Sequence, residues 1–420
     1  MIVFTFVLTL FAFTTDESMW LPTGQMSATA TNYVRALIAN SYGDLYASVW
    51  AVGVYKTTND GTNWTFSGLS GKRVSYLTVA PNGDIYGLSN TQSFSFIHRS
   101  TDNGITWTDV YTGSYPLNFA GNGSIVFPSD GSIVAAFAVT VGPLIGNVAT
   151  FVFKSTNGGN DWFQTQVIGA GFVGGMVITS DGKNFTWNFS AGVVYSTNNG
   201  NSFTNLATFP PIYIKTILYA SHNTIYVSDA YGLNRSTDNG LTFTDIGSHS
   251  AGVSLRAACL NSSEDLFVSL DNRNVFHSTN RGDNWTQVND GLPTDTYIYS
   301  FTLCDGTIFA GTNNSGVYVY DDLSSISSSN NFVNDFKLYQ NYPNPFNPNT
   351  VISYRLAVSG FAALKVIDVL GKEVVTLVNQ KQDAGNYEVE FNGQDLPSGI
   401  YYYKIQTNNF TSTKKMLLVK

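Results

Sequence analysis

Hydrophobic and polar positions alternate in short runs along the chain, and each run is broken by Gly, Asn, Asp, Ser or Thr. A short polar turn followed by an apolar pair recurs seven times: YGDLY at Gly43, NGDIY at Gly83, SDGSIV at Gly131, SDGKNF at Gly182, HNTIY at Asn223, SEDLF at Glu264 and DGTIF at Gly306. Alternation of period two bounded by such turns predicts hairpins and strands.

A second pattern runs in step with the first. It appears as TTNDGTNW (Thr57 to Trp64), STDNGITW (Ser100 to Trp107), STNGGNDW (Ser155 to Trp162), STNNGNSF (Ser196 to Phe203), STDNGLTF (Ser236 to Phe243) and STNRGDNW (Ser278 to Trp285). Its glycines, from Gly61 to Gly282, are spaced 43, 55, 41, 40 and 42 residues apart, the period of a four-stranded propeller blade. A hydroxyl and a carboxylate or amide two residues apart can bond the turn's own backbone, Gly accepts a positive φ, and the aromatic packs inward. The polar positions Asn59, Asp102, Asn157, Asn198, Asp238 and Asn280 are therefore expected to be structural, not catalytic. The octapeptide resembles the Asp-box, or BNR repeat, of sialidase-like and sortilin-like propellers, and the resemblance spans about residues 20 to 320.

Seven hairpin markers against six octapeptides leave the last unit, Tyr297 to Tyr320, one strand short. Met19-Trp20-Leu21-Pro22-Thr23-Gly24 looks like a strand that follows an octapeptide, and pairing it with Gly316 to Tyr320 would close the array without a free sheet edge. The expected fold is all-β: a seven-bladed β-propeller over residues 16–322, a linker over 323–335, and a small antiparallel β-sandwich over 336–420. Ahead of these, residues 1–15 contain the apolar run Met1 to Phe13, short for a membrane span and read as an export signal. The chain is not expected to be an integral membrane protein.

The last 85 residues carry short alternating stretches with turn signals every 8 to 14 residues. They open with QNYPNPFNPNT and continue through VIDVLGKEV, AGNYEVEF and LPSGIYYYKI to a basic KKMLLVK end. In that order these motifs resemble the type A C-terminal sorting domain of the type IX secretion system. The resemblance implies export across an outer membrane of a Bacteroidetes-like cell, a secreted or surface-attached product, and the secretion machinery as partner. Gly399, Tyr401, Lys414 and Lys415 are the positions it singles out for sorting.

Composition narrows the function. Charged residues are 12% of the chain and the net charge is −8. Residues 1–335 hold 12 Lys and Arg against 23 Asp and Glu, a balance of −11, leaving 9 against 6 for the remainder. So acidic a surface argues against nucleic acid as partner. Two cysteines, Cys259 and Cys304, and no CxxC or HExxH leave no basis for a metal site, and no cofactor is expected. Gly169 to Gly174 matches GxGxxG, but no helix follows to bind a pyrophosphate. The histidines His98, His222, His249 and His277 are scattered, so neither a metal cluster nor a triad is expected. A glycosidase needs two carboxylates across one sugar. Asp229, Asp271, Asp290 and Asp295 are the candidates, with no spacing that pairs them.

Aligning the first strands by their following hairpins places Arg35, Ser75, Lys215 and Arg256 at one level. Three cations at one register in an acidic segment suggest a site for an anionic ligand such as a uronic or sulfated sugar. Tyr111, Tyr115, Phe209, Tyr213 and Tyr297 are expected to offer stacking surfaces on that side. The reading is a non-catalytic binding or adhesion module for a glycan or a surface protein. The alternative is a glycoside hydrolase of sialidase-like or related propeller type.

Overall fold

A computed structural model describes residues 19–26, 32–90, 95–113, 123–140, 148–206, 214, 216–229, 232–246, 255–321, 336–341, 343–356, 359–383, 385–407 and 410–420. The run Met1 to Phe13 and the expected linker lie outside them, as do Tyr115, Phe209, Tyr213 and Lys215.

Between Met19 and Asp321 the described residues form seven antiparallel four-stranded sheets. Six of them use consecutive strands, as in the first sheet: Val34–Ala39, Leu45–Val49, Gly53–Thr57 and Thr65–Gly68. Neighbouring sheets touch in chain order, and Ile298–Cys304 of the seventh packs on Val34–Ala39 of the first, so the array closes into a toroid. The second strands show why. Leu45–Val49, Asn184–Asn188, Thr224–Ser228 and Leu266–Leu270 are buried at every position, because a neighbouring sheet covers each face.

The seventh sheet supplies only Ile298–Cys304, Thr307–Thr312 and Val317–Asp321, and Met19–Pro22 completes it. The register is Met19↔Asp321, Trp20↔Tyr320, Leu21↔Val319 and Pro22↔Tyr318. Trp20 is fully buried against Phe301 and Tyr320, and its indole donates to the Val288 carbonyl at 2.8 Å. A Cβ at Gly291 would lie 1.9 Å from the Trp20 carbonyl oxygen, so only glycine lets the closing strand approach.

The C-terminal part has two sheets. One holds Lys337–Leu338, Asn349–Leu356 and Gly385–Asn392; the other holds Glu373–Gln382, Gly360–Ile367, Gly399–Gln406 and Thr411–Leu418. Their inner faces share one core that includes Ile352, Tyr354, Leu364, Tyr403 and Met416. Gly399 and Tyr401 pair with Leu418 and Met416, while Lys414 and Lys415 pair with Tyr403 and Tyr402.

Candidate functional site

Each sheet has two ends, and the octapeptide turns occupy one of them. In all six, the Ser or Thr hydroxyl donates to the Asn or Asp oxygen two residues on, at 2.7–3.0 Å. The same hydroxyl accepts the N–H of the turn glycine at 2.8–3.1 Å, and the Asn or Asp oxygen accepts a second N–H four residues further along. These glycines have φ between 78° and 93°, which L side chains rarely adopt. Hydrogen bonds from Thr242 and Ser236 hold the Asp238 carboxyl down to about 2. At Asp102, partial burial pulls upward but bonds from Thr106 and Ser100 prevail and lower it. Asn59, Asp102, Asn157, Asn198, Asp238 and Asn280 are thus spent on their own turns.

In four of the six, the residue just before the octapeptide ties that end to the next sheet. Lys56 reaches the Asn103 carbonyl at 3.4 Å, Arg99 the Gly158 carbonyl at 2.8 Å, Lys154 the Asn199 carbonyl at 2.9 Å and Arg235 the Arg281 carbonyl at 2.9 Å. A carboxylate neutralises each: Asp44, Asp84, Asp130 and Asp283.

At the opposite end the innermost strands carry β-bulges. The pairing skips one residue between Val34 and Ala36, Val74 and Tyr76, Leu255 and Ala257, and Ile298 and Ser300. The skipped residues are Arg35, Ser75, Arg256 and Tyr299. A bulge residue leaves the ladder and re-aims its side chain, and all four line one cavity of about 700 Å³. The N–H after the bulge bonds a serine of the second strand: Ala36 to Ser48 at 2.9 Å and Ala257 to Ser269 at 3.2 Å. Thr216 bonds Ser228 in the same way at 2.9 Å, so Lys215, itself outside the described residues, holds the equivalent place in the sequence.

Arg35 and Arg256 share one aromatic ring. Their guanidinium carbons lie 5.1 and 4.6 Å from the Tyr299 centroid. That bounds their separation to about 10 Å, on the order of the Debye length at 0.1 M salt, so their fields overlap. The stack continues on both sides: Tyr33 lies 4.8 Å from Tyr299 and 6.2 Å from Trp50, under Arg73, while Tyr297 lies under both Arg256 and Arg273. Burial and a hydrogen bond with Tyr299 push the Tyr33 hydroxyl up to about 12, keeping it neutral. Arg256 pairs with Asp271 at 2.7 Å and Arg273 with Asp295 at 2.8 Å.

The other expected positions fall elsewhere. Tyr111 packs on Phe137, Phe153 and Trp162 between the second and third sheets, away from the cavity, because its strand is the outermost of its sheet. Asp229 accepts from the Gly232 N–H and the Asn234 amide within its own turn. The Asp290 carbonyl accepts the Trp20 N–H at 2.7 Å. Both cysteines are buried and are not joined in a disulfide.

One arrangement corrects the expectation that no triad assembles. His98 is fully buried, with its Nε2 2.6 Å from Ser89 Oγ and its Nδ1 2.5 Å from Asp109 Oδ1. Burial lowers its pKa in spite of Asp109, so the ring is neutral. A carboxylate only accepts, hence Nδ1–H donates to Asp109 and the Ser89 hydroxyl donates to Nε2. The connectivity is that of a catalytic triad, but Ser89 is 4% exposed and does not line the cavity.

Residues 340–420 match the model of the secretion system C-terminal sorting domain. The protein is therefore secreted or displayed at the cell surface through type IX secretion. No curated protein matches the chain. Among solved structures, the chain is similar to YCF48 from Cyanidioschyzon merolae, with a TM-score of 0.53 and 13% identity over 72% of this chain and 98% of that one. It is similar to the GH74 xyloglucanase from Xanthomonas campestris, with a TM-score of 0.58 and 13% identity over 80% of this chain and 59% of that one. The WD40 beta propeller domain of Doa1 gives a TM-score of 0.50 and 12% identity over 74% of this chain and all of that one. These likenesses establish the fold of the repeated sheets as a β-propeller.

Proposed function

We propose that the protein is a seven-bladed Asp-box propeller exported by its C-terminal sorting domain, and that outside the cell it binds an anionic ligand without turning it over. The observation that carries this is the convergence of Arg35 and Arg256 on Tyr299 at the wall of a single cavity, each aimed there by a bulge. Asp271 offsets part of the Arg256 charge, and two guanidinium groups against this one carboxylate leave the described lining positive, which favours an anion even when the surrounding surface is acidic. The alternative of a glycoside hydrolase needs two carboxylates free to face one sugar. Asp271 and Asp295 are each held by an arginine and Asp229 by its own turn, which favours binding over hydrolysis.

Calorimetry with the full chain tests this, using an acidic peptide, an acidic oligosaccharide and a neutral oligosaccharide as probes, beside a polysaccharide hydrolysis screen. At least one acidic probe should bind, and Arg35→Ala with Arg256→Ala should weaken it at least tenfold. Sugar release abolished by Asp271→Asn would overturn the reading in favour of an enzyme.

A further inference from the structure

The ring stack on the cavity wall continues beyond the cavity. From Tyr299 it runs through Tyr33 and Trp50 to the guanidinium of Arg73, in steps of 4.8, 6.2 and 5.9 Å. Tyr299 lines the cavity, and Arg73 is the first residue of the strand Arg73–Val79 in the second sheet. The path therefore leads from the cavity wall to the rim between the first and second sheets. Tyr33 and Trp50 are half-buried along it, and Arg73 is exposed.

The two directions along the stack differ in charge. Toward the sixth sheet, Arg256 pairs with Asp271 and Arg273 with Asp295. Toward the second sheet, Lys72 and Arg73 stand side by side, each over an aromatic ring: Phe96 at 4.3 Å and Trp50 at 5.9 Å. Neither forms an ion pair among the described residues, whereas Lys56, Arg99, Lys154, Lys183, Arg235 and Arg281 all do. Asp109, a carboxylate of the same sheet, is bonded to His98. Two adjacent cations without a carboxylate, in a segment whose balance is −11, favour the approach of a negative partner at this rim.

The side chains along the path select among negative partners. Arg, Trp and Tyr carry most of the binding energy where proteins meet. A sugar needs an open ring face to stack on, and the Tyr299 ring is already crowded, with Arg35, Arg256 and Tyr33 all within 5.1 Å of its centroid. A nucleic acid needs a denser run of cations than a pair at one rim. We infer that the path from Tyr299 to Arg73 is a docking surface for an acidic, extended segment of a partner protein, whose carboxylates pair with Lys72 and Arg73 at the rim. This rests on the preceding reading of the cavity and extends it outward. A chain anchored at the cavity wall needs about five residues, at roughly 3.3 Å each, to reach Arg73.

The test is calorimetry on the full chain with three probes: tetraglutamate, which is long enough for the cavity alone, decaglutamate, which reaches the rim as well, and trigalacturonate. Decaglutamate should bind at least tenfold more tightly than either of the others. The double variant Lys72→Gln, Arg73→Gln should weaken decaglutamate at least fivefold and tetraglutamate less than twofold, with circular dichroism confirming the fold. If decaglutamate does not bind, if trigalacturonate binds more tightly, or if the rim variant binds decaglutamate as the parent does, the docking surface is wrong. The anion site in the cavity then still stands, provided that Arg35→Ala with Arg256→Ala weakens tetraglutamate or trigalacturonate. If that cavity variant binds every probe as the parent does, the reading of the cavity fails, and the docking path that starts from it fails too.

Discussion

The two ends of the toroid use the same residue types for opposite purposes. At the octapeptide end, Lys56, Arg99, Lys154 and Arg235 each meet a carboxylate and a backbone carbonyl of the next sheet. Their charge is consumed in joining neighbours. At the bulge end, Arg35 and Arg256 instead lie over one aromatic ring at a cavity wall, with Asp271 pairing Arg256 at 2.7 Å. Cation–π contact contributes about 0.5–2 kcal/mol and leaves guanidinium edges able to donate. The strand that carries a cation decides where it points: third-strand cations reach the neighbouring turn, and first-strand bulge residues line the cavity.

Four measurements would break or sharpen this contrast. The largest effect is expected at closure, on which both ends depend. Trp20→Ala removes a fully buried indole and should cost about 3–5 kcal/mol in urea unfolding; an unchanged midpoint would mean that Met19–Pro22 does not seal the toroid. Next comes Lys154→Ala at the octapeptide end. Its side chain is 4% exposed and its loss leaves the Asn199 carbonyl without that donor, so a destabilisation of about 1–3 kcal/mol is expected.

Acid should act in two stages. The His98 pKa is lowered in the fold, so below its ordinary value of 6.5 the unfolded chain takes up a proton that the folded one refuses, and stability falls. His98→Asn should abolish that first decline in thermal melts between pH 7.5 and 5. The carboxyls of Asp238 and Asp130 are depressed from 3.8 to about 2. At Asp130 partial burial works against the shift, and bonds from Ser132 overcome it. Their contribution is complete above pH 3.8 and disappears as the pH drops toward 2, so a second decline belongs there. The smallest effect is expected at the bulge end: Arg35→Gln removes the cation–π contact with Tyr299 and should cost about 0.5–1 kcal/mol, and a loss above about 2 kcal/mol would make Arg35 a staple like Lys154.

Local chemistry made the octapeptide turns legible, since each closes on itself within eight residues and shows its Gly, hydroxyl and amide in the sequence. Met19–Pro22 was legible for a related reason: it resembles the strand it replaces. The cavity was half legible. Arg35 and Arg256 emerged from register counting, and the structure adds the cause, a bulge at each. Tyr299 and Tyr33 were missed because stacking between sheets leaves no periodic trace. Ser89, His98 and Asp109 lie on three successive strands, 9 and 11 residues apart, a separation fixed by hairpin length and hidden among many other serines and aspartates. Tyr111 was misplaced because a residue's distance from the axis depends on which of the four strands carries it.

A residue that the ladder skips has no Cα partner in the strand register. Arg35, Ser75, Arg256 and Tyr299 occupy such places, and the four side chains are already a large cation, a small hydroxyl, a second cation and an aromatic ring. The ladder pairs resume on either side of each of them, Val34 with Val49 and Ala36 with Ser48 in the first sheet. The bulges therefore work as interchangeable sockets around a fixed frame, at which the cavity wall can change while the folding problem stays solved.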